Sequence, residues 1–220
     1  MLGCLQARCA ASRYARRVVA ALHSPFTSRV LEPDARVVIH QVPWETYVAM
    51  RDMLDASGSG VRLTYLQGEL EIMSPSRDHE SIKKLIARLL EAWADERSVE
   101  LEGFGSTTFR KEARERGLEP DECYSVGDLG EVPDIAIEVV VSSALVDKLE
   151  VYRGIAVPEV WVWKDGVLTV YRLASNGYQA HAASEVLPNL DVALLASFVR
   201  SDAKQSAAVR AFKAKLREQT

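Results

Sequence analysis

The segment Pro133-Asp-Ile-Ala-Ile-Glu-Val-Val-Val141 is apolar except for two carboxylates, Asp134 and Glu138. Its β-branched residues predict a buried strand over Asp134–Ser142. An ionised carboxylate inside such a strand is costly to bury unless an opposite charge compensates it. Either a bound cation or a Lys or Arg partner would compensate Glu138, and the strand alone does not distinguish the two.

A second carboxylate of the same site has to lie close to Glu138. Asp134 shares a strand face with Glu138, but at ~3.3 Å per residue the two stand about 13 Å apart. That separation is too large to share one ion whose ligand bonds are roughly 2.0–2.6 Å long. Asp121 begins another predicted strand, 121–126, and antiparallel pairing across a turn at 127–130 could bring it beside Glu138. The sequence therefore favours Asp121 over Asp134, which stays a secondary candidate.

Three further polar residues are candidates for this site. Glu69 and Glu71 share one face of a predicted strand, so the sequence hardly separates them, and either could instead be an exposed strand carboxylate. His79 heads the apolar stripe of a predicted amphipathic helix over 78–97. It could hydrogen-bond a ligand or a phosphate, although a lone histidine on an apolar stripe is more often a core residue.

The composition is that of a globular protein without disulfide cross-links. The chain has 220 residues, 48% apolar and 26% charged, and no apolar run approaches the ~20 residues of a membrane helix. Its three cysteines are a sparse, odd set, which favours a reducing compartment and hence a cytoplasmic protein. The net charge of −4 counts mildly against a dedicated DNA-binding module, because nucleic acid is usually bound by a positive patch.

The chain divides into three predicted regions. Residues 1–31 carry arginines and no acidic residue, which indicates a basic N-terminal extension: a targeting segment, a nucleic-acid-binding arm, or an upstream extension, disordered or arising from a misassigned start. Residues 32–200 are expected to form the folded domain. Residues 201–220 are expected to form a C-terminal helix, whose exposed apolar stripe of Val209, Phe212 and Leu216 could serve a homodimer.

Within the domain, helical and strand patterns are interspersed. Helices are predicted over 44–56, 78–97 and 144–153. Strands are predicted over 62–67, 69–73, 107–111, 121–126, 134–142, 160–164 and 167–173, the last two forming a hairpin across Asp165-Gly166.

Several motifs stand in a fixed order along the chain: Leu63-Thr-Tyr-Leu-Gln-Gly-Glu-Leu-Glu-Ile-Met-Ser-Pro-Ser-Arg-Asp-His-Glu80, Gly105-Ser-Thr-Thr-Phe-Arg-Lys111, Arg116-Gly-Leu-Glu-Pro-Asp-Glu-Cys-Tyr124, Pro133-Asp-Ile-Ala-Ile-Glu-Val139, Asp147-Lys148 with Tyr152, and Gly154-Ile-Ala-Val-Pro-Glu-Val-Trp161. Over roughly residues 40–195 this series resembles the Uma-two family of restriction endonucleases, of the PD-(D/E)XK nuclease superfamily. The resemblance implies an α/β (α+β) fold with a restriction-endonuclease-like mixed β-sheet flanked by helices. It also implies a metal-dependent phosphodiesterase centre.

The resemblance implies roles for individual residues. Asp121 matches the motif aspartate, Glu138 the (D/E) residue, and Glu69 the glutamate of the family's Gly-Glu-Leu segment. The superfamily lysine belongs two residues after the motif acid, where this chain has Val140. The resemblance indicates that Lys148, on the following helix, supplies the amine instead; otherwise Lys148 is a helix-surface lysine.

The expected function is metal-dependent endonucleolytic hydrolysis of DNA, with DNA as the substrate implied by resemblance alone. Asp121, Glu138, the carbonyl of Val139 and Glu69 would hold Mg²⁺ or Mn²⁺, since hard oxygen ligands suit these ions. Lys148 would orient the attacking water. The missing strand lysine and the acidic balance favour an alternative, a catalytically weak or inactive nuclease-fold protein that acts as a nucleic-acid-binding or assembly module. A phosphoesterase with another substrate is a third interpretation.

Overall fold

The structure is a computed structural model and describes residues 31–112, 115–128, 130–142, 146–202 and 204–219. The strands are β1 Ala35–Ile39, β2 Arg62–Leu66, β3 Glu69–Ser74, β4 Leu101–Gly103, β5 Phe109–Lys111, β6 Arg116–Leu118, β7 Glu122–Val126, β8 Ile135–Val140, β9 Glu159–Lys164, β10 Val167–Ala174 and β11 Gly177–His181. The helices are α1 Trp44–Ser57, α2 Arg77–Arg97, α3 Lys148–Ile155, α4 Val192–Ser197 and α5 Gln205–Arg217.

Strand β8 lies inside a six-stranded mixed sheet of order β11-β10-β9-β8-β7-β4. Its residues Ile135–Val139 are all buried, which explains why the strand is apolar nearly throughout rather than alternating. It pairs antiparallel with β7 on one side and parallel with β9 on the other. Because parallel strands need a crossover connection, the chain leaves β8, forms α3 and returns as β9.

The second sheet is antiparallel, of order β1-β3-β2-β6-β5. Its edge strand β1 pairs with β3, in a register that sets Val38 opposite Glu71. Asp34 comes directly before β1 and reaches the start of α2, where its Oδ1 accepts the Ser76 N–H at 2.9 Å. Residues 34–39 are therefore built into this sheet and onto the adjoining helix.

Helix α2 has the amphipathic character that its sequence predicts. The Ser76 hydroxyl caps its N-terminus by accepting the N–H of His79 at 3.2 Å, the contact usual for a serine cap. The predicted apolar stripe is fully buried, and it consists of Ile82, Leu85, Ile86, Leu89 and Trp93. His79 heads that stripe and has no exposed surface.

Helix α3 is held against β6 by one arginine. The Arg116 guanidinium donates to the Glu150 carbonyl at 2.5 Å and to Glu150 Oε1 at 2.9 Å. It packs so tightly on Gly154 that a Cβ there would overlap the Arg116 side chain. At the other end of the helix, Asp147 caps the N-terminus by accepting the Glu150 N–H at 3.1 Å. These contacts fix the orientation of α3 over the sheet.

The predicted α+β class is confirmed, although two sheets are present instead of one. The short or edge strands β1, β4, β6 and β11 and helix α4 were not predicted. The predicted helix 144–153 begins only at Lys148, while residues 143–145 lie outside the described part of the chain.

The prediction of an exposed stripe on the C-terminal helix is wrong. Helix α5 packs along α2, with Arg217 paired to Glu96 at 2.7 Å, and both Phe212 and Leu216 are buried. Phe212 contacts the ring of Phe198, with ring centroids 5.3 Å apart. Since the chain covers this stripe itself, the stripe no longer supports a homodimer.

Glu32–Thr220 forms one compact unit. Residues 1–30 lie outside the described residues, so the basic N-terminal extension stays a prediction. Among the described helices, none is both long and apolar enough to cross a membrane.

Candidate active site

Antiparallel pairing of β7 with β8 brings Asp121 beside Glu138, as the sequence predicts. The register pairs Glu122 with Ile137, so Asp121, one residue before β7, reaches the level of Glu138. The Asp121 N–H donates to the Ile137 carbonyl at 3.1 Å, and Asp121 Oδ2 accepts the Val139 N–H at 2.7 Å. The two carboxylates thus enter one site from adjacent strands.

Glu138 is compensated by a lysine and a tyrosine from α3. Lys148 Nζ lies 2.6 Å from Glu138 Oε2, and the Tyr152 hydroxyl donates to Oε1 at 2.5 Å. Burial raises the pKa of Glu138. Burial also disfavours the charged form of Lys148, but the Glu138 carboxylate outweighs this and raises the lysine pKa. The predicted helix therefore carries the Lys148 ammonium to Glu138.

Asp121 lies among cations although no part of it is exposed. Its Oδ1 is 2.9 Å from His79 Nε2 and 3.5 Å from Arg62 Nε. Burial alone would raise the pKa of Asp121, but the His79 contact, with the charges of Lys148 and Arg62, holds it well below the usual value. None of these contacts to Oδ1 is aligned as a hydrogen bond.

His79 bridges two buried carboxylates. Its Nε2 faces Asp121, and its Nδ1 lies 3.2 Å from Asp34 Oδ2. Burial lowers the pKa of a histidine, but here the close contacts with the Asp121 and Asp34 carboxylates outweigh it and raise the pKa of His79 to about 9. His79 is therefore an imidazolium held by two acids, and its partners are polar although it heads an apolar stripe.

Arg36 and Glu71 extend the cluster on the other side of Asp34. Arg36 contacts Asp34 at 3.0 Å and Glu71 Oε1 at 2.7 Å. Glu71 is buried and also accepts the Val146 N–H at 3.4 Å. Glu69, two residues earlier on the same face, is 47% exposed and pairs with His40 at 3.4 Å. The structure brings Glu71, and not Glu69, to the cluster, because Glu69 stands at the open end of β3.

Asp134 has a different place. Its Oδ2 accepts the Val126 N–H at 2.9 Å, which joins the end of β7 to the start of β8. This hydrogen bond stabilises the connection that aligns the two strands, and so Asp134 supports the site from its outer end.

The buried side chains around Asp121 and Glu138 carry equal numbers of negative and positive charges when His79 is protonated. Four buried carboxylates contact four bases, and we call this set the charged cluster: Asp34, Glu71, Asp121 and Glu138 with Arg36, Arg62, His79 and Lys148. Sequence reasoning missed Asp34, Arg36 and Arg62, because the contacts that join them to His79, Glu71 and Asp121 span tens of residues. Tyr152 could have been found, since it follows Lys148 by four residues and therefore shares its helix face.

The donor set fits a hard divalent cation. Asp121 Oδ1 is a buried carboxylate oxygen without an aligned hydrogen bond, and Glu138 stands beside it. No group of three or more His, Cys, Asp or Glu side chains among the described residues is arranged to hold an ion. Mg²⁺ is usually held by one or two carboxylates, with water and substrate phosphate completing the shell, so two carboxylates are sufficient.

A pocket gives access to this site. It encloses about 370 Å³ and is lined by Glu138, Val140, Val146, Asp147, Lys148, Leu149, Val160, Val162 and Tyr171. Val140 therefore forms part of the pocket wall. A larger cavity, of about 570 Å³, lies beside α1 and includes no residue of the charged cluster.

Comparisons with known proteins show a family and similar solved structures. The Uma2 family, described as "Putative restriction endonuclease", matches residues 44–203, which is more than half of the chain. A crystal structure of a putative nuclease belonging to DUF820 from Anabaena variabilis ATCC 29413 is 14% identical, with a TM-score of 0.35, and the alignment covers 68% of this chain and 90% of that one. No curated protein matches the chain.

Proposed function

The chain belongs to the Uma2 family, and on that premise we propose that it is an endonuclease that hydrolyses DNA phosphodiester bonds at Asp121, Glu138 and Lys148. The observation that carries the proposal is the contact of Lys148 Nζ with Glu138 Oε2 at 2.6 Å, beside Asp121. An acid pair with an adjacent ammonium is the combination that phosphodiester hydrolysis requires: ligands for a cation and a positive charge near the reacting phosphate.

Each residue has a distinct part in the proposed reaction. Asp121 and Glu138, with the carbonyl of Val139, hold the cation. Lys148 orients the attacking water or neutralises the charge that develops on the phosphate. Tyr152 holds Glu138 in place through its 2.5 Å hydrogen bond. Glu69 is left out of the proposal, because its exposed side chain pairs with His40.

Mg²⁺ or Mn²⁺, when bound, polarises the phosphoryl oxygen and lowers the pKa of a coordinated water. Lys148 already neutralises Glu138, and His79 already neutralises Asp121. A metal cation therefore competes with Lys148 and His79 for these two carboxylates. The pocket beside Glu138 and Lys148 supports entry of the cation from one side, past Val140 and Tyr171.

The decisive experiment is nicking of supercoiled plasmid by purified protein with Mg²⁺, with Mn²⁺ and with neither. The variants are Asp121→Asn and Glu138→Gln, and Glu159→Gln is the matched control. Glu159 is a carboxylate as buried as Glu138, but its partners are the Trp161, Ser184 and Glu185 donors, outside the charged cluster. We expect metal-dependent nicking that both site variants lose and the control keeps. Absence of nicking with both metals, or its survival in both site variants, refutes the proposal.

One observation favours a second candidate function. The charged cluster is neutral without a metal, an arrangement that also suits a nuclease-fold protein that binds nucleic acid or assembles with partners without cleaving. In that case the wild-type protein shifts DNA in a gel without nicking it, and raising the salt concentration weakens the binding. Glu138→Gln then leaves the affinity unchanged, since no metal has to be held.

A further inference from the structure

Two residues of the charged cluster lie outside the segment that the family match covers. The match begins at residue 44, whereas Asp34 and Arg36 come before it. Strand β1 carries Arg36 along the edge of the five-stranded sheet, where Ala35 pairs with Ser74 and Arg36 with Met73. The described chain therefore supplies part of the cluster from a segment that the family assignment does not include.

This segment is tied to the start of α2 from both sides. Asp34 Oδ1 accepts the Ser76 N–H at 2.9 Å. In return, Asp78 Oδ2 accepts the Glu32 N–H at 2.9 Å. The two bonds fix the backbone around Asp34 against the first turn of the helix that carries His79.

The other oxygen of Asp34 faces His79. Asp34 Oδ2 lies 3.2 Å from His79 Nδ1, and the opposite ring nitrogen, Nε2, lies 2.9 Å from Asp121 Oδ1. All three side chains have no exposed surface. Because an imidazole ring is rigid, the partner of Nδ1 sets the direction in which Nε2 points.

We infer that Asp34 is a positioning residue of the proposed nuclease centre, which holds the His79 ring so that Nε2 is directed at Asp121. The inference rests on the proposed function, and it adds a residue before the family segment to the centre. The contacts form a line from Asp34 through His79 to Asp121, whose other oxygen, Oδ2, accepts the Val139 N–H at 2.7 Å. An oriented outer residue of this kind fixes a metal-holding carboxylate without touching the substrate.

The test compares Asp34→Asn with Glu159→Gln in the full-length protein. Asparagine keeps an oxygen for the Ser76 N–H but removes the negative charge that faces His79. The control removes an equally buried negative charge that has no described contact with the charged cluster. Two readouts are taken: kcat and KM for plasmid nicking, and the ¹⁵N resonances of the His79 ring, assigned with His79→Gln.

The expected result is a fall in kcat of about 10- to 100-fold in Asp34→Asn, the range for lost outer-shell partners. KM changes little, and the Nε2 resonance, which belongs to the nitrogen remote from residue 34, shifts. Glu159→Gln changes neither readout. An unchanged Nε2 resonance overturns the inference, and so does an unchanged kcat in an active protein.

The two proposals fail separately. If the wild-type protein does not nick DNA, the proposed function is lost, and the Nε2 resonance alone decides whether Asp34 positions His79. If Asp34→Asn does not fold, Asp34→Ser replaces it, because the smaller hydroxyl still offers an oxygen near the Ser76 N–H. If neither folds while Glu159→Gln does, Asp34 serves the fold and not the centre, which overturns the inference.

Discussion

Lys148 and Glu138 are ten residues apart in the chain, and their charged atoms are 2.6 Å apart. One lies in β8 and the other opens α3, so the contact spans the first half of the crossover between parallel strands. Both side chains are almost fully buried. This ion pair is the compensation that an acid in an apolar strand requires, and it supplies an ammonium where the strand itself offers only Val140.

Breaking this pair from one side should destabilise the protein. Lys148→Met leaves a buried Glu138 with Tyr152 alone, and a one-sided loss of this kind costs about 3–5 kcal/mol in the free energy of unfolding. The double variant Glu138→Gln/Lys148→Met removes both charges and should recover a large part of that loss. Urea unfolding of the four proteins measures the coupling. Additive effects of the two substitutions would contradict a direct ion pair.

The same lysine should be required for catalysis. In Lys148→Met we expect plasmid nicking to slow by about 10²–10³-fold, because the charge near the reacting phosphate is lost. Lys213→Met is the control, since Lys213 pairs with Asp95 on α2, away from the charged cluster. Nicking rates are compared below the unfolding temperature of each variant. Equal rates for the two variants would remove Lys148 from the mechanism.

Tyr152→Phe deletes only the hydroxyl that donates to Glu138. Because that acceptor is a carboxylate, we expect a loss of about 1.5–3 kcal/mol in the free energy of unfolding. Tyr178→Phe is matched to it, since the Tyr178 hydroxyl donates at the same 2.5 Å, but to the neutral carbonyl of Val157. That control should lose about 0.5–1.5 kcal/mol and keep full nicking activity. The prediction fails if both substitutions lower the free energy of unfolding by the same amount and neither changes the nicking rate.

Gly154→Ala tests how α3 is held. A Cβ at 154 overlaps the Arg116 side chain, which cannot move without breaking its hydrogen bonds to Glu150. We expect a loss of about 1–3 kcal/mol, typical of overpacking, and slower nicking, because α3 carries Lys148. The control is Gly130→Ala, where a Cβ meets only the Val132 carbonyl at 3.6 Å. In thermal unfolding and nicking assays, Gly154→Ala should therefore be less stable and slower than Gly130→Ala.

The contribution of Asp34 to stability should disappear in acid. Burial raises a carboxyl pKa, but the contacts with His79, Ser76 and Arg36 outweigh it and lower the pKa of Asp34 to about 2, from 3.8. A lowered folded-state pKa stabilises the protein fully above pH 3.8, and the effect is lost as the pH falls through 2. The shift corresponds to about 2 kcal/mol. The difference in unfolding free energy between the wild type and Asp34→Asn should therefore narrow below pH 4; a constant difference from pH 7 to pH 3 would contradict it.

Sequence patterns identified the elements whose signal is local. The stripe of α2 and the apolar run of β8 were predicted because periodicity reports burial directly. The pairing of Asp121 with Glu138 followed from the reach of an extended strand. Glu71 could not be chosen over Glu69, since both share a face and only the position along β3 decides which is buried.

The remaining residues of the charged cluster depend on contacts that no local pattern encodes. Asp34 meets His79 across 45 residues, and Arg36 meets Ser142 across 106. Strand β1 was not predicted because its residues alternate between exposed and half-buried, so it has no fully buried side. The stripe of α5 was predicted to be exposed because a helix pattern shows which side is apolar and not what covers it.

The charged cluster draws on residues from Asp34 to Tyr152, and β8 also needs β9, which ends at Lys164, as its parallel neighbour. A nascent chain on the ribosome therefore has no working centre until about three quarters of the protein has been synthesised. Cleavage by a protease between β1 and α3 likewise produces fragments that each lack some residues of the centre. The proposed nuclease therefore cannot cut before these segments have been synthesised and have folded together.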